Sequence, residues 1–367
     1  MTNGNSQMNK VLKKTFKAAI VGVGQAGTAG GSPTRGAFRI GHVHAKAYRR
    51  STNFELVSAA DVNVENLAYF QGQFDGVAGY SSLEALLAEQ TPDVVSLCTY
   101  VGLHLKMIQT CIKAGVRVIL CEKPFVSSPR ELAALRDLVA GSNVEILVPH
   151  FRRYVPAFKD ACRLYCSGRV GERLMVTAAI GDGWDLSEWG SHWLDMFRFF
   201  HQDAMPEHVL AQARVRDRRG FGHAMEDHAL AFMTFPGGGR ALLETGPSYL
   251  PDGVNMVLTG TKGSIYVRKE SELRIVTADG VEDVKYAENY DWIDAWVEMA
   301  DTLATWLREG TTPPLGFKHV SGTAELNLGC YMSMVEGDRV DFPMPLNWPE
   351  WPVEELARRS AARIPTL

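Results

Sequence analysis

Short apolar runs alternate with helix-like stretches from residue 17 to residue 149, and few folds accept such a pattern. Lys17–Val23, Phe54–Ala60, Asp93–Thr99, Val116–Cys121 and Glu145–Pro149 read as strands. Between them Gly41–Arg50, Val64–Gln73, Ser82–Glu89, His104–Ala114 and Ser128–Val139 read as helices. The alternation predicts a parallel, doubly wound α/β sheet, because each parallel return needs a crossover. The strands are apolar almost throughout, as expected where helices cover both faces.

After Phe151 the pattern changes. Phe158–Ser167 reads as a helix. Arg173–Ile180, His208–Asp217, His228–Phe235, Arg240–Thr245, Val254–Thr259, Ser264–Lys269 and Leu273–Thr277 read as successive strands, several separated by proline- or glycine-containing turns. Asp291–Arg308 and His319–Glu336 read as long helices. This is an α+β region dominated by an antiparallel sheet. A chain of 367 residues exceeds one ordinary core, so a first domain at 1–150 and a second at 151–345 are expected. The tail 346–367 carries a short helix, Val353–Ala362, expected to pack against a neighbouring subunit.

A net charge of -4 gives no basis for binding nucleic acid or an anionic membrane. No apolar run approaches the length of a membrane span, and the polar stretch Met1–Lys14, expected to fray, lacks the apolar core of a signal peptide. The six cysteines include no CxxC pair, and several lie in apolar patterns. That usage predicts free thiols in a reducing, cytoplasmic compartment. Cys162 and Cys166 share a helix face, but no histidine nearby completes a zinc set, so packing is the expected role and no metal is expected.

Gly22-Val-Gly24 follows the first strand directly. Glycines there permit a tight turn and let backbone N–H groups approach a pyrophosphate at a helix N-terminus. Two readings of the third glycine compete. In the contiguous reading it is Gly27, but the residues that follow (28–40) are poor helix formers, with Gly30, Gly31, Pro33 and Gly36 among them. In the preferred split reading, residues 25–38 are an insertion, expected to fold over the cofactor, and Ile40-Gly41 resumes the motif. Asp61 then lies about twenty residues beyond Gly41, near the spacing of a ribose-binding acid. A carboxylate there repels a 2′-phosphate, so NAD is expected over NADP. The bland reading makes Asp61 a turn residue before the next helix.

The carboxyl edge of such a sheet is where ligands sit. Thr99 to His104 follow the third apolar run, and Cys121-Glu122-Lys123-Pro124 follows the fourth. Thr99, His104 and Glu122 are thus expected to line the nicotinamide. Hydride transfer at a carbinol needs a group that takes the hydroxyl proton and one that polarises the carbonyl in reverse. Lys123 suits either task if desolvation and neighbouring charge shift its pKa. Farther on, Glu188, His192 and Asp195 fall at i, i+4 and i+7, so a regular helix would carry all on one face. Glu188 and His192 are read as an acid–base dyad, and Asp195 with Arg198 as a structural bridge. Trp189 beside polar groups suits a sugar ring. Arg152 fits an acidic substituent, or equally a buried pairing with Glu or Asp. The bland reading of His192 is a core histidine, with Trp184, Trp189 and Trp193 filling the core around it.

At these residues the chain resembles the Gfo/Idh/MocA family of oxidoreductases. Glu122-Lys123-Pro124 is similar to its E-K-P motif, and Phe151-Arg-Arg-Tyr-Val-Pro156 to its R-R-F-x-P segment. Gly260-Thr-Lys-Gly-Ser264 resembles its G-T-x-G-x turn, and Gly190 to Arg198 resembles the helix bearing its catalytic histidine. The resemblance implies a Rossmann domain followed by a large, open, mostly antiparallel sheet that buries its free face in a homodimer or homotetramer. It implies NAD(P)-dependent oxidation or reduction of a sugar, cyclitol or related polyol, with Lys123 and His192 as catalytic residues. Glu188 stands where the family often has aspartate, and Tyr100 where it often has proline. The readings set against a dehydrogenase are a cofactor-recycling glycosidase or lyase and a non-catalytic dinucleotide-binding regulator.

Overall fold

β1 (Phe16–Val21) is the spine of the first layer, with Ala18, Ala19 and Ile20 fully buried. Around it lie β2 (Phe54–Ala60), β3 (Ala78–Tyr80), β4 (Val94–Leu97), β5 (Val118–Cys121) and β6 (Glu145–Leu147). The six strands run in the order β3-β2-β1-β4-β5-β6, all parallel. The crossovers are α1 (Ile40–Arg50), α2 (Val64–Gln73), α3 (Leu83–Glu89), α4 (His104–Lys113) and α5 (Pro129–Ala140). The strand order reverses between β1 and β4, which opens a crevice at their carboxyl ends. This computed structural model describes residues 14–24, 39–181, 184–246, 254–286, 291–348 and 350–363. The insertion at 25–38, including Gly27, and the tail before Lys14 lie outside the described residues.

After α6 (Pro156–Cys166) the chain builds a second sheet. Its strands are β7 (Arg173–Ile180), β8 (His208–Arg214), β11 (His228–Thr234), β12 (Arg240–Thr245), β13 (Val254–Gly260), β14 (Gly263–Arg268), β15 (Glu272–Thr277), β16 (Gly280–Lys285) and β17 (Val340–Asp341). They run β16-β15-β14-β13-β7-β12-β11-β8-β17, antiparallel except where β7 meets β12. A separate hairpin joins β9 (Arg219–Gly220) to β10 (His223–Ala224). Strand alternation turns Ala229, Ala231 and Met233 into the core. Leu210 and Leu230 stand 45% and 41% exposed, so this sheet presents apolar groups to solvent. Helices α6, α7 (Ser191–Phe200) and α9 (Phe317–Glu336) pack against the sheet.

α8 (Ile293–Glu309) leaves the second sheet and packs on α1. Arg50 pairs with Asp291 and Asp294, and Asp301 accepts from Ser51 Oγ at 2.5 Å and Asn53 Nδ2 at 2.8 Å. Among the described residues no helix is long and apolar enough to cross a membrane.

The architecture is the expected one. Differences concern its margins. β3 and β16 gave no sequence signal because they are largely exposed and lack an apolar face. The tail helix, α10 (Pro352–Arg363), packs on α9 and the β9–β10 hairpin of its own chain, with Val353 and Leu356 buried. The apolar face of this helix is thus covered within its own chain.

Candidate active site

The turn after β1 is built for close approach. Gly22 has φ +88°, and a Cβ there would lie 2.5 Å from the Cys98 carbonyl oxygen. A Cβ on Gly41 would lie 2.6 Å from the Gly22 carbonyl oxygen, so Gly41 is the glycine that seats α1 against the turn. α1 begins at Ile40 with no capping side chain and no acid in its first turn, which leaves its N-terminal N–H groups without a competing carboxylate. On Gly24 a Cβ would lie 2.5 Å from Asn66 Nδ2. Asp61 folds back to this turn: Oδ2 accepts from Val23 N at 2.9 Å and Oδ1 from Asn63 N at 2.8 Å. Each oxygen keeps acceptor capacity for a hydroxyl. Glycine turn, open helix end and strand-end acid fit a dinucleotide. We expect Gly22→Ala to weaken NAD binding by about ten- to hundredfold, through strained backbone and lost approach. A fluorescence titration returning wild-type affinity would contradict this.

The other residues expected at the cofactor divide. Thr99 lies two residues beyond β4, its Oγ1 donating to Met107 Sδ at 3.4 Å. His104 is buried, with Nε2 3.0 Å from the Thr99 carbonyl and Nδ1 3.2 Å from the Phe125 carbonyl. Its ring ties the two strand-end loops together, and burial lowers its pKa. Glu122 is also buried; its carboxylate meets His44 Nε2 at 2.9 Å and Lys123 N at 3.2 Å. Both residues stand at the expected edge, but their polar atoms serve the protein itself.

Lys123 reaches across the crevice. Its Nζ donates to Glu188 Oε2 at 2.7 Å. Burial works to lower the lysine pKa, but Glu188, Glu122 and Asp185 outweigh it and raise it above the ordinary value. Burial likewise pushes Glu188 up, and Lys123 and His223 more than reverse this. The pair is therefore ionised at neutral pH. His223 Nε2 meets the other Glu188 oxygen at 3.2 Å.

This differs from the expected Glu188–His192 dyad. Leu186–Gly190 forms a π-helical turn, closed by Gly190 N donating to the Asp185 carbonyl at 3.0 Å. A wider turn breaks the i, i+4 stacking that the dyad assumed. Glu188 turns to Lys123, and His192 makes no hydrogen bond among the described residues. Asp195 likewise does not pair with Arg198. It accepts from Arg153 Nε and meets His319 Nε2, both at 2.6 Å. Arg198 donates instead to the His319 carbonyl and to Thr323.

His192 is 6% exposed and lies edge-on to His150, with ring centroids 5.5 Å apart. Trp189 and Phe151 flank it at 5.8 and 5.9 Å. Burial, Arg152, His150 and Lys123 hold its pKa well below the usual histidine range, so the imidazole is neutral. His150, absent from the sequence reading, has Nδ1 3.5 Å from Asp195 Oδ1 and is pushed down to about 4, chiefly by burial. Lys123, His150 and Ser191 share the wall of one small cavity with Phe125, Thr323 and Asn327. Arg152 lies beside this group, its guanidinium 4.9 Å from the Trp189 ring centroid and its Nη2 2.7 Å from Glu270. Its charge already has a protein partner, the buried pairing that the sequence left open.

A glycine turn at the topological switch point, with a lysine–carboxylate pair and a neutral imidazole elsewhere in the structure, fits an NAD-binding oxidoreductase. Residues 16–150 match the family model described as "Oxidoreductase family, NAD-binding Rossmann fold" (GFO_IDH_MocA), and residues 158–266 match "GFO/IDH/MocA C-terminal domain". The chain belongs to the GFO/IDH/MocA family of NAD-binding oxidoreductases. It is 26% identical over 266 residues to inositol 2-dehydrogenase of Rhizobium meliloti (strain 1021), covering 67% of this chain and 78% of the relative. An inositol dehydrogenase homologue from Azotobacter vinelandii, solved with NADH and myo-inositol, superposes with a TM-score of 0.76 at 18% identity, over 90% of this chain and 98% of that one. The WlbA dehydrogenase of Bordetella pertussis, solved with NADH and UDP-GlcNAcA, gives 0.72 at 20% identity, over 90% and 100%. These structural likenesses are likenesses of fold.

Proposed function

We propose that this enzyme oxidises a carbinol carbon of a sugar, cyclitol or related polyol. The observation that carries the reading is one buried cluster holding a charged Lys123 and a neutral His192 at the carboxyl edge of the sheet. Gly22, Gly24, the N-terminus of α1 and Asp61 would hold NAD, and Thr99 would border it. When bound there, NAD supplies the hydride acceptor. The protein's own part is the proton. The neutral His192 accepts it from the substrate hydroxyl, while the Lys123 ammonium steadies the oxygen's developing negative charge. Glu188 keeps Lys123 charged, so the lysine acts as donor and the histidine as base. Trp189 beside His192 offers an apolar wall to a ring face. Asp61 favours NAD over NADP, since its carboxylate would repel a 2′-phosphate.

The solvent-facing leucines of the second sheet support assembly into a homodimer or homotetramer through that face, and the free cysteines among the described residues suit a reducing cytoplasm. An absorbance screen for NADH against sugars, cyclitols and sugar acids tests the function. Reduction of NAD by a polyol is the expected result. Conversion of a glycoside without net NADH would instead select the cofactor-recycling reaction, and inertness toward every class would remove the reading.

A further inference from the structure

We propose that His223 is a positioning residue for the Lys123 ammonium, locked in place by the C-terminal helix; the proposal rests on the dehydrogenase reading above. His223 lies in the β9–β10 hairpin, whose turn residues Phe221 and Gly222 have φ of 52° and 87°. Its ring is fully buried. Nε2 faces Glu188 Oε1 at 3.2 Å, and Nδ1 faces the Ala224 carbonyl at 2.7 Å. Both partners are acceptors, so only an imidazolium satisfies both at once. Glu188 gives its other oxygen to Lys123 Nζ at 2.7 Å. The carboxylate therefore sits between two cations, one on each oxygen. With a single partner it would turn about its side-chain torsions and carry the ammonium with it. With two it is fixed, and the lysine keeps its aim.

A hairpin of two-residue strands does not hold such a ring by itself. α10 supplies the hold. Glu354 Oε1 accepts from Ala224 N at 2.9 Å and pairs with Arg219 at 2.7 Å, so one carboxylate grips both strands. Trp351, just before α10, covers the imidazole with ring centroids 4.7 Å apart.

The charged groups around His223 are Glu188 and Asp185 from the segment before α7, Lys123 beyond Glu188, Glu354 from α10, and Arg219 on the hairpin itself. Burial lowers the imidazole pKa, and the Glu188 hydrogen bond with the charge of Asp185 raises it further, to a net value above the usual one. The positioning is thus complete below that raised pKa and is lost as pH rises through it. It should appear as an alkaline fall in kcat.

The test uses full-length His223→Ala and His223→Gln enzymes. Alanine removes the charged hydrogen bond, and an about ten- to hundredfold loss of kcat is expected with NAD affinity unchanged. Glutamine keeps one N–H for Glu188 but does not titrate, so it should recover part of kcat and lose the alkaline fall. A wild-type kcat that shows no alkaline fall anywhere the enzyme stays folded would overturn the proposal without any variant having to fold. So would variants that melt earlier yet match wild type in kcat and pH profile, since that is a purely structural role. A wild type inert toward all polyols would instead overturn the dehydrogenase reading, and this inference with it.

Discussion

Lys123→Met is expected to cut kcat by about a hundred- to ten-thousandfold while NAD affinity stays within a fewfold of wild type. Methionine is close to lysine in length and fills the same space without the charge. The Glu188 carboxylate keeps its hydrogen bond to His223, so the cluster does not collapse. What disappears is the cation that the proposed reaction sets against the developing oxyanion. The cofactor contacts proposed for Gly22, Gly24, the N-terminus of α1 and Asp61 lie on other segments and are untouched. Steady-state kinetics on a substrate found by the screen, together with calorimetric NAD titration, separate the outcomes. A variant that turns over normally removes Lys123 from the chemistry, and one that fails to bind NAD reassigns it to the cofactor.

Asp195→Asn is expected to cost about 3–5 kcal/mol of folding stability, since it breaks a buried ion pair from one side. Asp195 has no solvent exposure, and the Arg153 side chain opposite is only 4% exposed. The amide keeps the shape but leaves the guanidinium with one anion, Asp203, at 2.7 Å and half exposed. Burial pushes the Asp195 carboxyl up, but Arg153, His150 and His319 pull it well below the usual carboxylate range. Its stabilising contribution is therefore full above the unfolded value, about 3.9. It is lost as pH falls through the range below. Wild type should lose more stability than Asp195→Asn on acidification, which denaturant titrations at neutral and acid pH will read. Equal stability at neutral pH would contradict the assignment.

Much of this was legible in the chain. Apolar runs such as Val94–Leu97 and Val118–Cys121 announce the parallel sheet because both of their faces are buried. Lys123 was legible because a strand's end fixes where the next residue stands. Glycines 22 and 41 were legible through the spacing of turn, helix and acid. What was hidden depends on tertiary geometry. The π-helical turn at Leu186–Gly190 reassigns Glu188 from a neighbour in sequence to a lysine 65 residues away. Asp195 finds Arg153 rather than Arg198 for the same kind of reason. His223 sits in a short polar hairpin with no periodicity, so neither its burial nor its partner could be inferred. His150 follows a brief strand and looks unremarkable until its ring is seen between His192 and Asp195.

The helix α8 has a mechanical consequence. Asp291 just before it and Asp294 within it hold Arg50 at the end of α1, and Asp301 holds Ser51 and Asn53 just beyond, so the second domain is tied to the back of the nucleotide-binding domain. A clamshell rotation between the halves would have to tear these links and bare the Trp296 ring lying 4.9 Å from His44. Such a rotation would therefore separate a buried aromatic contact as well as surface ion pairs.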